Sequence, residues 1–420
     1  MKFSNKLRNY LFIAILSNSL FIGQALTNEP IKKLNVTGQN HPQLIIGGDS
    51  ESTYPNGKPA DFRGFSDPCI RQDPITGKLW MAYSWPHMEH LGRGPRNYAV
   101  GVESHLAKSD DKGKSWEFVK VLWPRTPARY SHRWTRRLRL GYISHEVPNI
   151  LPVEVNGKLF WVGARADYFL PRFGNYKRRD NRSFCIRLFR AKTPEDLTSA
   201  SPVTFGHTMS TKECNVDVNV CEFSEDFPAN YLPTEPALHY SGGRLYLAFV
   251  ALLFYGKQPL FDKSFIAVFS TVPKGEISSW KWQYDGKLAT NKDASELGGQ
   301  ALSQIELARD RKGKLLAFVT PLIWDAKLHA MSGSKDAFFG FVHHGCHIVE
   351  VSSLAKPALA RGADGKLVRR AFLYSSEEAN HGPGAPGYDA ASKSGVILTL
   401  RQISTVRSLS WYLHQTELHP

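Results

Sequence analysis

Asp67-Pro68-Cys69-Ile70, then a turn, then Gly77-Lys78-Leu79-Trp80-Met81-Ala82-Tyr83-Ser84 is the stretch that decides how this chain folds. Its grammar is a short apolar segment, a turn closed by glycine, and an alternating apolar run. The same phrase returns at Glu146-Val147-Pro148 with Gly157 to Gly163, and at Glu235-Pro236-Ala237-Leu238 with Gly243 to Phe249. A fourth copy is Gln304-Ile305-Glu306-Leu307 with Gly313 to Val319, and a fifth is Ala385-Pro386-Gly387-Tyr388 with Gly395 to Leu400. The turn glycines recur roughly every 80 residues, and a strand-forming unit repeated at a long period predicts radial repetition of sheets.

Each copy divides into strands. In the first, Cys69 to Arg71, Leu79 to Ser84, Val100 to Lys108 and Trp116 to Leu122 read as four strands, with Asp73-Pro74 supplying the first turn. Further strands are expected at Phe184 to Ala191, Phe265 to Ser270, Trp280 to Tyr284, His347 to Val351, Leu367 to Tyr374 and Ser408 to Glu417. The expected fold is therefore all-β, a five-bladed β-propeller of four-stranded antiparallel blades. The last copy runs out after three strands. An N-terminal strand from within Lys33 to Ile46 is expected to complete it and close the ring, since an open sheet edge is a liability.

Composition sets the class. The chain has 420 residues, 42% of them hydrophobic and 12% aromatic, enough for a large core. Lys2, Lys6 and Arg8 precede an apolar run from Tyr10 to Gly23 and then Gly23-Gln24-Ala25, the pattern of a cleaved export signal. That divides the chain into a signal peptide, 1–25, and a single propeller domain, 26–420, secreted or periplasmic, with no stable membrane insertion after cleavage. Export permits disulfides. Cys214 and Cys221 enclose a polar loop and are the expected pair, with Cys69 and Cys185 as core thiols.

The net charge is +15, concentrated at Arg125, Arg129, Arg133, Arg136, Arg137 and Arg139, and again at Arg172, Lys177, Arg178, Arg179 and Arg182. Such clusters attract anionic substrates, here an acidic glycan. Nucleic acid would suit the charge, but the chain carries no nucleic-acid-binding motif. His343-His344-Gly345-Cys346-His347 reads as the start of a strand rather than a metal site, and neither metal nor cofactor is expected.

The candidate chemistry lies in the first position of the phrase. Asp67, Glu146 and Glu235 occupy corresponding starts in three successive copies, and a propeller gathers such starts at one opening. Carboxylates brought together cannot all ionise cheaply, so an acid beside a base results. That pair is what cleavage of a glycosidic bond needs.

Ser109-Asp110-Asp111-Lys112-Gly113-Lys114-Ser115-Trp116 resembles the Asp-box of sialidases, Ser-x-Asp-x-Gly-x-Thr-Trp, with Ser115 in the Thr place. With the repeated phrase it makes residues 60 to 402 similar to sialidase-like propellers and to five-bladed glycoside hydrolase propellers of the arabinanase type. The arabinanase resemblance implies Asp67 as base, Glu235 as acid in its Glu-Pro setting, and Glu146 as modulator where that family has Asp. His381-Gly382-Pro383-Gly384 is similar to that family's last-blade histidine segment. The sialidase resemblance implies instead an arginine grip on a substrate carboxylate, from Arg63 with Arg165, Arg244 or Arg401, and Tyr388 as nucleophile. A third reading is a non-catalytic propeller that binds glycans or proteins through its mouth, where Trp85, Trp134 and Trp324 could stack on sugars and His87 could contact them.

Overall fold

The computed structural model describes residues 31–36, 43–54, 56–90, 98–131, 138–171, 184–206, 216–227, 231–255, 258–326, 330, 341–375, 380–405 and 408–420. The proposed signal peptide lies outside them. Strands dominate, and they assemble into five sheets, one for each copy of the repeated phrase.

The first sheet runs outward from Ser66–Gln72 through Leu79–His90 and Tyr98–Ser109 to Trp116–Trp123. The second starts from Leu138–Val155 and continues through Lys158–Pro171, Cys185–Ala191 and Val203–Gly206. The third is Tyr231–Ser241, Arg244–Tyr255, Phe265–Thr271 and Gln283–Thr290. The fourth is Ala301–Arg309, Leu315–Trp324, Cys346–Ser353 and Arg369–Tyr374. The fifth holds Asn380–Gly387, Ile397–Thr405 and Ser408–Gln415. These consecutive strands pair antiparallel, and all five innermost strands contribute residues to one central pocket. The chain is an all-β propeller.

The repeat glycines explain the hairpins. Gly77, Gly157, Gly243, Gly313 and Gly395 all sit at positive φ, between 66° and 80°, in the turn joining the first and second strands of each sheet. A side chain there would be strained, so the recurrence is a conformational requirement. Between the second and third sheets, Leu188 and Phe205 meet Leu247, Phe249 and Phe269 in one fully buried cluster. At about 25 cal/mol per Å² of apolar surface removed from water, such inter-sheet layers supply the main stabilisation.

The N-terminal segment departs from expectation. Lys32–Asn35 pairs in parallel with Arg369–Tyr374 on the fourth sheet, and Ile46–Gly47 with Trp116–Trp123 on the first. The stretch proposed as the missing strand thus pairs with two other sheets, and among the described residues it meets the fifth through the bridge from Gln43 to His414, the bond from Leu44 N–H to Leu413 C=O, 2.7 Å, and apolar packing of Val36 and Leu44. The strand beside Ser408–Gln415 is Phe62–Gly64, also parallel. These three added strands are each parallel to the strand they join. Sheets consequently carry four to seven strands rather than a uniform four.

Two smaller expectations also change. The fourth strand of the third sheet begins at Gln283, not Trp280; Trp280 and Trp282 turn into the core instead. Cys185 is disulfide-bonded, whereas Cys69, Cys221 and Cys346 are free thiols, so the expected pairing of Cys221 does not form.

The Ser109–Trp116 turn joins the third and fourth strands of the first sheet. Ser109 Oγ accepts from Gly113 N–H at 2.7 Å and donates to Asp111 at 2.8 Å; Asp111 accepts from Ser115 N–H and Oγ at 3.0 and 2.7 Å. Gly113 lies at φ 87° and Trp116 is buried. The turn docks on the last copy, where Ser394 Oγ donates to Gly113 C=O and Lys393 N–H to Lys112 C=O, 2.8 Å. It closes the seam between first and last sheets, far along the strands from the pocket.

Candidate active site

The central pocket draws its wall from all five innermost strands, at Asp67, Val147, Glu235, Gln304 and Ala385. Four of these, all but Gln304, stand immediately before a proline and at positive φ: 51°, 54°, 54° and 43°. Each marks a register shift where the innermost strand carries an extra residue against its partner, between Ser66/Cys69, Thr234/Ala237, His381/Gly384/Gly387 and, read from the partner strand, Ala164/Ala166. The bulge forces a left-handed backbone that costs an L-residue roughly 1–2 kcal/mol, and Val147, β-branched, is the least suited of the four. Such strain concentrates where a fold re-aims side chains.

Neighbouring sheets hold the bulges. Asp67 N–H donates to Thr399 Oγ1 of the fifth sheet at 3.0 Å, Val147 N–H to Ser84 Oγ of the first at 2.9 Å, and Ala385 N–H to Gln304 Oε1 of the fourth. These bonds satisfy amides that the bulge removes from the ladder.

Register shows which carboxylates correspond. Asp67 and Glu235 hold the bulge position in the first and third strands, but in the second it belongs to Val147. Glu146 stands one residue earlier, opposite Ala166, in the place that Ser66 and Thr234 occupy. It does not line the pocket, and the equivalence expected of Glu146 fails by one residue. The two true equivalents share a local device: Ser66 Oγ donates to Asp67 Oδ2 at 3.0 Å, and Thr234 Oγ1 to Glu235 Oε1 at 3.4 Å. Both carboxylates are half-buried, reachable by a ligand yet partly desolvated.

A third carboxylate, missed in the sequence, forms the pocket floor. Glu306 is buried, its Oε1 paired with the Arg71 guanidinium and its Oε2 accepting from Asn149 Nδ2 at 2.5 Å. Arg71 also donates to Leu307 C=O at 3.1 Å and Tyr388 C=O at 3.3 Å, while Asn149 Oδ1 accepts Leu238 N–H at 3.2 Å. One clasp thus joins all five innermost strands. Burial pushes the Glu306 carboxyl up, and Arg71 and Asn149 oppose that. Its only signal in the sequence was a place two residues beyond Gln304, on the same face of the fourth strand.

The residues expected to grip or attack substrate are placed elsewhere. Arg63 sits on the outer strand of the fifth sheet, bound to Glu51 at 2.9 Å. Arg165 is buried, 2.8 Å from Asp167 and stacked on Trp123 and Phe189. Asp167 also meets His145 at 2.6 Å and Arg187 at 2.6 Å; burial alone would raise its carboxyl, yet the Arg165 and Arg187 guanidiniums and the His145 contact hold it well below the usual range. Tyr388 is wholly buried in an apolar cluster, its phenol pushed up to about 12 by burial, which removes it as a nucleophile. His87 is half-buried against Trp85, 3.2 Å from Ser52 Oγ, and burial lowers it to about 4. Most of the two basic clusters, with Trp134, lies outside the described residues; Arg125 is described, 3.5 Å from Glu103.

No family model and no curated protein matches the chain. Among solved structures it is similar to a thermostable family-43 glycoside hydrolase, at 10% identity over 89% of this chain and 91% of that one, TM-score 0.43. A family 117 glycoside hydrolase from the marine bacterium Zobellia galactanivorans gives 13% identity over 89% of each chain, TM-score 0.43. An α-L-arabinofuranosidase from Fusarium graminearum gives 9% identity over 89% and 96%, TM-score 0.43.

Proposed function

We propose that this chain is an exported glycoside hydrolase, its five sheets the blades of one ring, and that Asp67 is its base and Glu235 its acid. One observation carries the reading: these two carboxylates alone hold the strained bulge position, and both open onto the same central pocket. Each accepts a hydroxyl from the residue before it and stands in the pocket wall, where a proton-transfer group would meet substrate. One protonates the leaving oxygen while the other activates water or attacks the anomeric carbon. The neutral floor, where Arg71 balances Glu306, leaves their charges uncancelled from below.

Export is supported by the N-terminal sequence and by the bonded Cys185. The basic excess supports an anionic or complex glycan as substrate. The decisive assay is hydrolysis of a panel of furanosides, sialosides and uronosides by wild type, Asp67→Asn and Glu235→Gln. Turnover of at least one substrate, lost in both variants while folding is kept, is expected. Turnover surviving both substitutions overturns the assignment.

A further inference from the structure

A hydroxyl, an imidazole and a carboxylate stand in line on the second sheet, outside the central pocket. Thr126 Oγ1 lies 3.1 Å from His145 Nε2, and His145 Nδ1 lies 2.6 Å from Asp167 Oδ1. The protons on this line have one arrangement. Arg165 and Arg187 also hold Asp167 and keep its carboxyl ionised, so it can only accept. His145 Nδ1 must therefore carry the hydrogen between them. Burial, with Arg165 and Arg187 beside it, lowers the imidazole, so the ring stays neutral and leaves a lone pair on Nε2. The Thr126 hydroxyl must donate into that lone pair. A hydroxyl aimed at a neutral histidine that a buried carboxylate orients is the arrangement of an activated nucleophile.

The fold leaves that hydroxyl reachable. His145 and Asp167 are buried, whereas Thr126 is exposed. Ser52 and His87 make the contrasting contact, at 3.2 Å: there the hydroxyl is buried and also bonds the Met88 backbone, which suits a scaffold. Register places the line. Thr126 is opposite Ile143, His145 is opposite Asp167, and Ile143 and His145 share one face of the strand Leu138–Val155. Val147, in the pocket wall, follows His145 by two residues, about 7 Å along the strand. Thr126 thus stands just beyond the pocket wall, close enough for one ligand to present a substituent to it.

We propose that Thr126 is the nucleophile of an acyl-transfer site, with His145 as its general base and Asp167 as the positioning residue, and that this site removes ester-linked acyl groups from the ligand of the pocket. The Thr126 oxygen bonds to the acyl carbonyl carbon while its proton passes to His145 Nε2. The bond from that carbon to the sugar oxygen then breaks, and the sugar oxygen leaves with the same proton as a hydroxyl. Water repeats the sequence on the acyl-threonine: it gives a proton to His145, displaces Thr126 as the free hydroxyl and releases a carboxylic acid. The identity of the carrier as a sugar rests on the glycosidase reading; the ester chemistry does not.

Acetate release from an acetylated oligosaccharide and from para-nitrophenyl acetate tests it, on wild type, Thr126→Ser, Thr126→Val and His145→Gln, beside mass spectrometry of peptides from acid-quenched reactions. Wild type and Thr126→Ser should release acetate and carry an acetyl group on the peptide containing position 126. Thr126→Val should lose release about 10²-fold or more, with melting held within a few degrees because the side chain is exposed. His145→Gln should lose release by a similar factor; should it fail to fold, the two Thr126 variants decide alone. Glycoside hydrolysis should be unchanged in Thr126→Val. No acetate release by wild type, release that survives in Thr126→Val, or an acetyl group found only on other peptides overturns the inference. Acetate release without glycosidic cleavage would leave it standing while the glycosidase reading falls, and cleavage without release would do the opposite.

Discussion

The rim and the floor of the central pocket lie only two to four residues apart on the same strands, yet they are built on opposite principles. At the floor, Arg71, Asn149 and Glu306 are buried and spend their hydrogen-bonding capacity on one another and on backbone. At the rim, Asp67 and Glu235 are half-buried on backbone held in a disfavoured region, each with a hydroxyl from the preceding residue. A satisfied network specifies a fold; a strained, accessible carboxylate is the kind of group a fold keeps for a ligand. The same strand thereby fixes the ring and presents an accessible carboxylate to the pocket.

The sharpest test of that division exchanges the two kinds of loss. Asp67→Asn and Glu235→Gln should each reduce hydrolysis about 10²–10⁴-fold, the usual range for removing a general acid or base, with melting temperature held within a few degrees. Circular dichroism melts beside the kinetics read both quantities. A collapse in stability at the rim would erase the distinction.

Arg71→Met should do the reverse. Removing one partner of a buried pair leaves the other charge uncompensated, at a cost of about 3–5 kcal/mol by urea unfolding. Arg71→Met combined with Glu306→Leu should recover a large part of that loss, since the orphaned carboxylate goes too. Failure of the double variant to recover would mean that the clasp, not the charge balance, holds the strands.

Much of this ring was legible in the chain. Gly77, Gly157, Gly243, Gly313 and Gly395 mark hairpins because a positive φ is a local demand, and local demands leave local signatures. The alternating runs after them became second strands for the same reason. Other features were not legible because they join distant parts of the chain. Glu306 meets Arg71 across 235 positions, and Phe62–Gly64 meets a strand near the C-terminus. The misplacing of Glu146 has a subtler origin. A bulge inserts one residue, so counting from the proline and counting from the glycine give different equivalents, and only the pairing of Glu146 with Ala166 decides between them.

Acid sensitivity extends the floor-and-rim contrast to pH. His239 lies four residues beyond Glu235, buried, and burial with the nearby Arg309 and Arg71 lowers it to about 3. Between that value and an unfolded value near 6.5 the unfolded chain binds the proton and the folded chain does not. Stability is therefore complete above pH 6.5 and falls as the pH drops toward 3, by about 1.4 kcal/mol per unit from this one group. Denaturant melts between pH 4 and 7 should show a shallower slope in His239→Gln than in wild type. Equal slopes would mean the ring is charged in the fold.

Val147 offers the smallest and most discriminating effect. It holds the bulge position with φ 54°, but carries no carboxylate. A glycine in a strand ordinarily costs about 0.5–1 kcal/mol, whereas at this angle it relieves strain of similar size. Val147→Gly should therefore be neutral or stabilising by up to about 1 kcal/mol, measured by urea unfolding. Val153→Gly, a buried position lower on the same strand, should be strongly destabilising. If both variants lose stability alike, the bulge is relaxed rather than strained, and the rim differs from the floor only in which side chains it exposes.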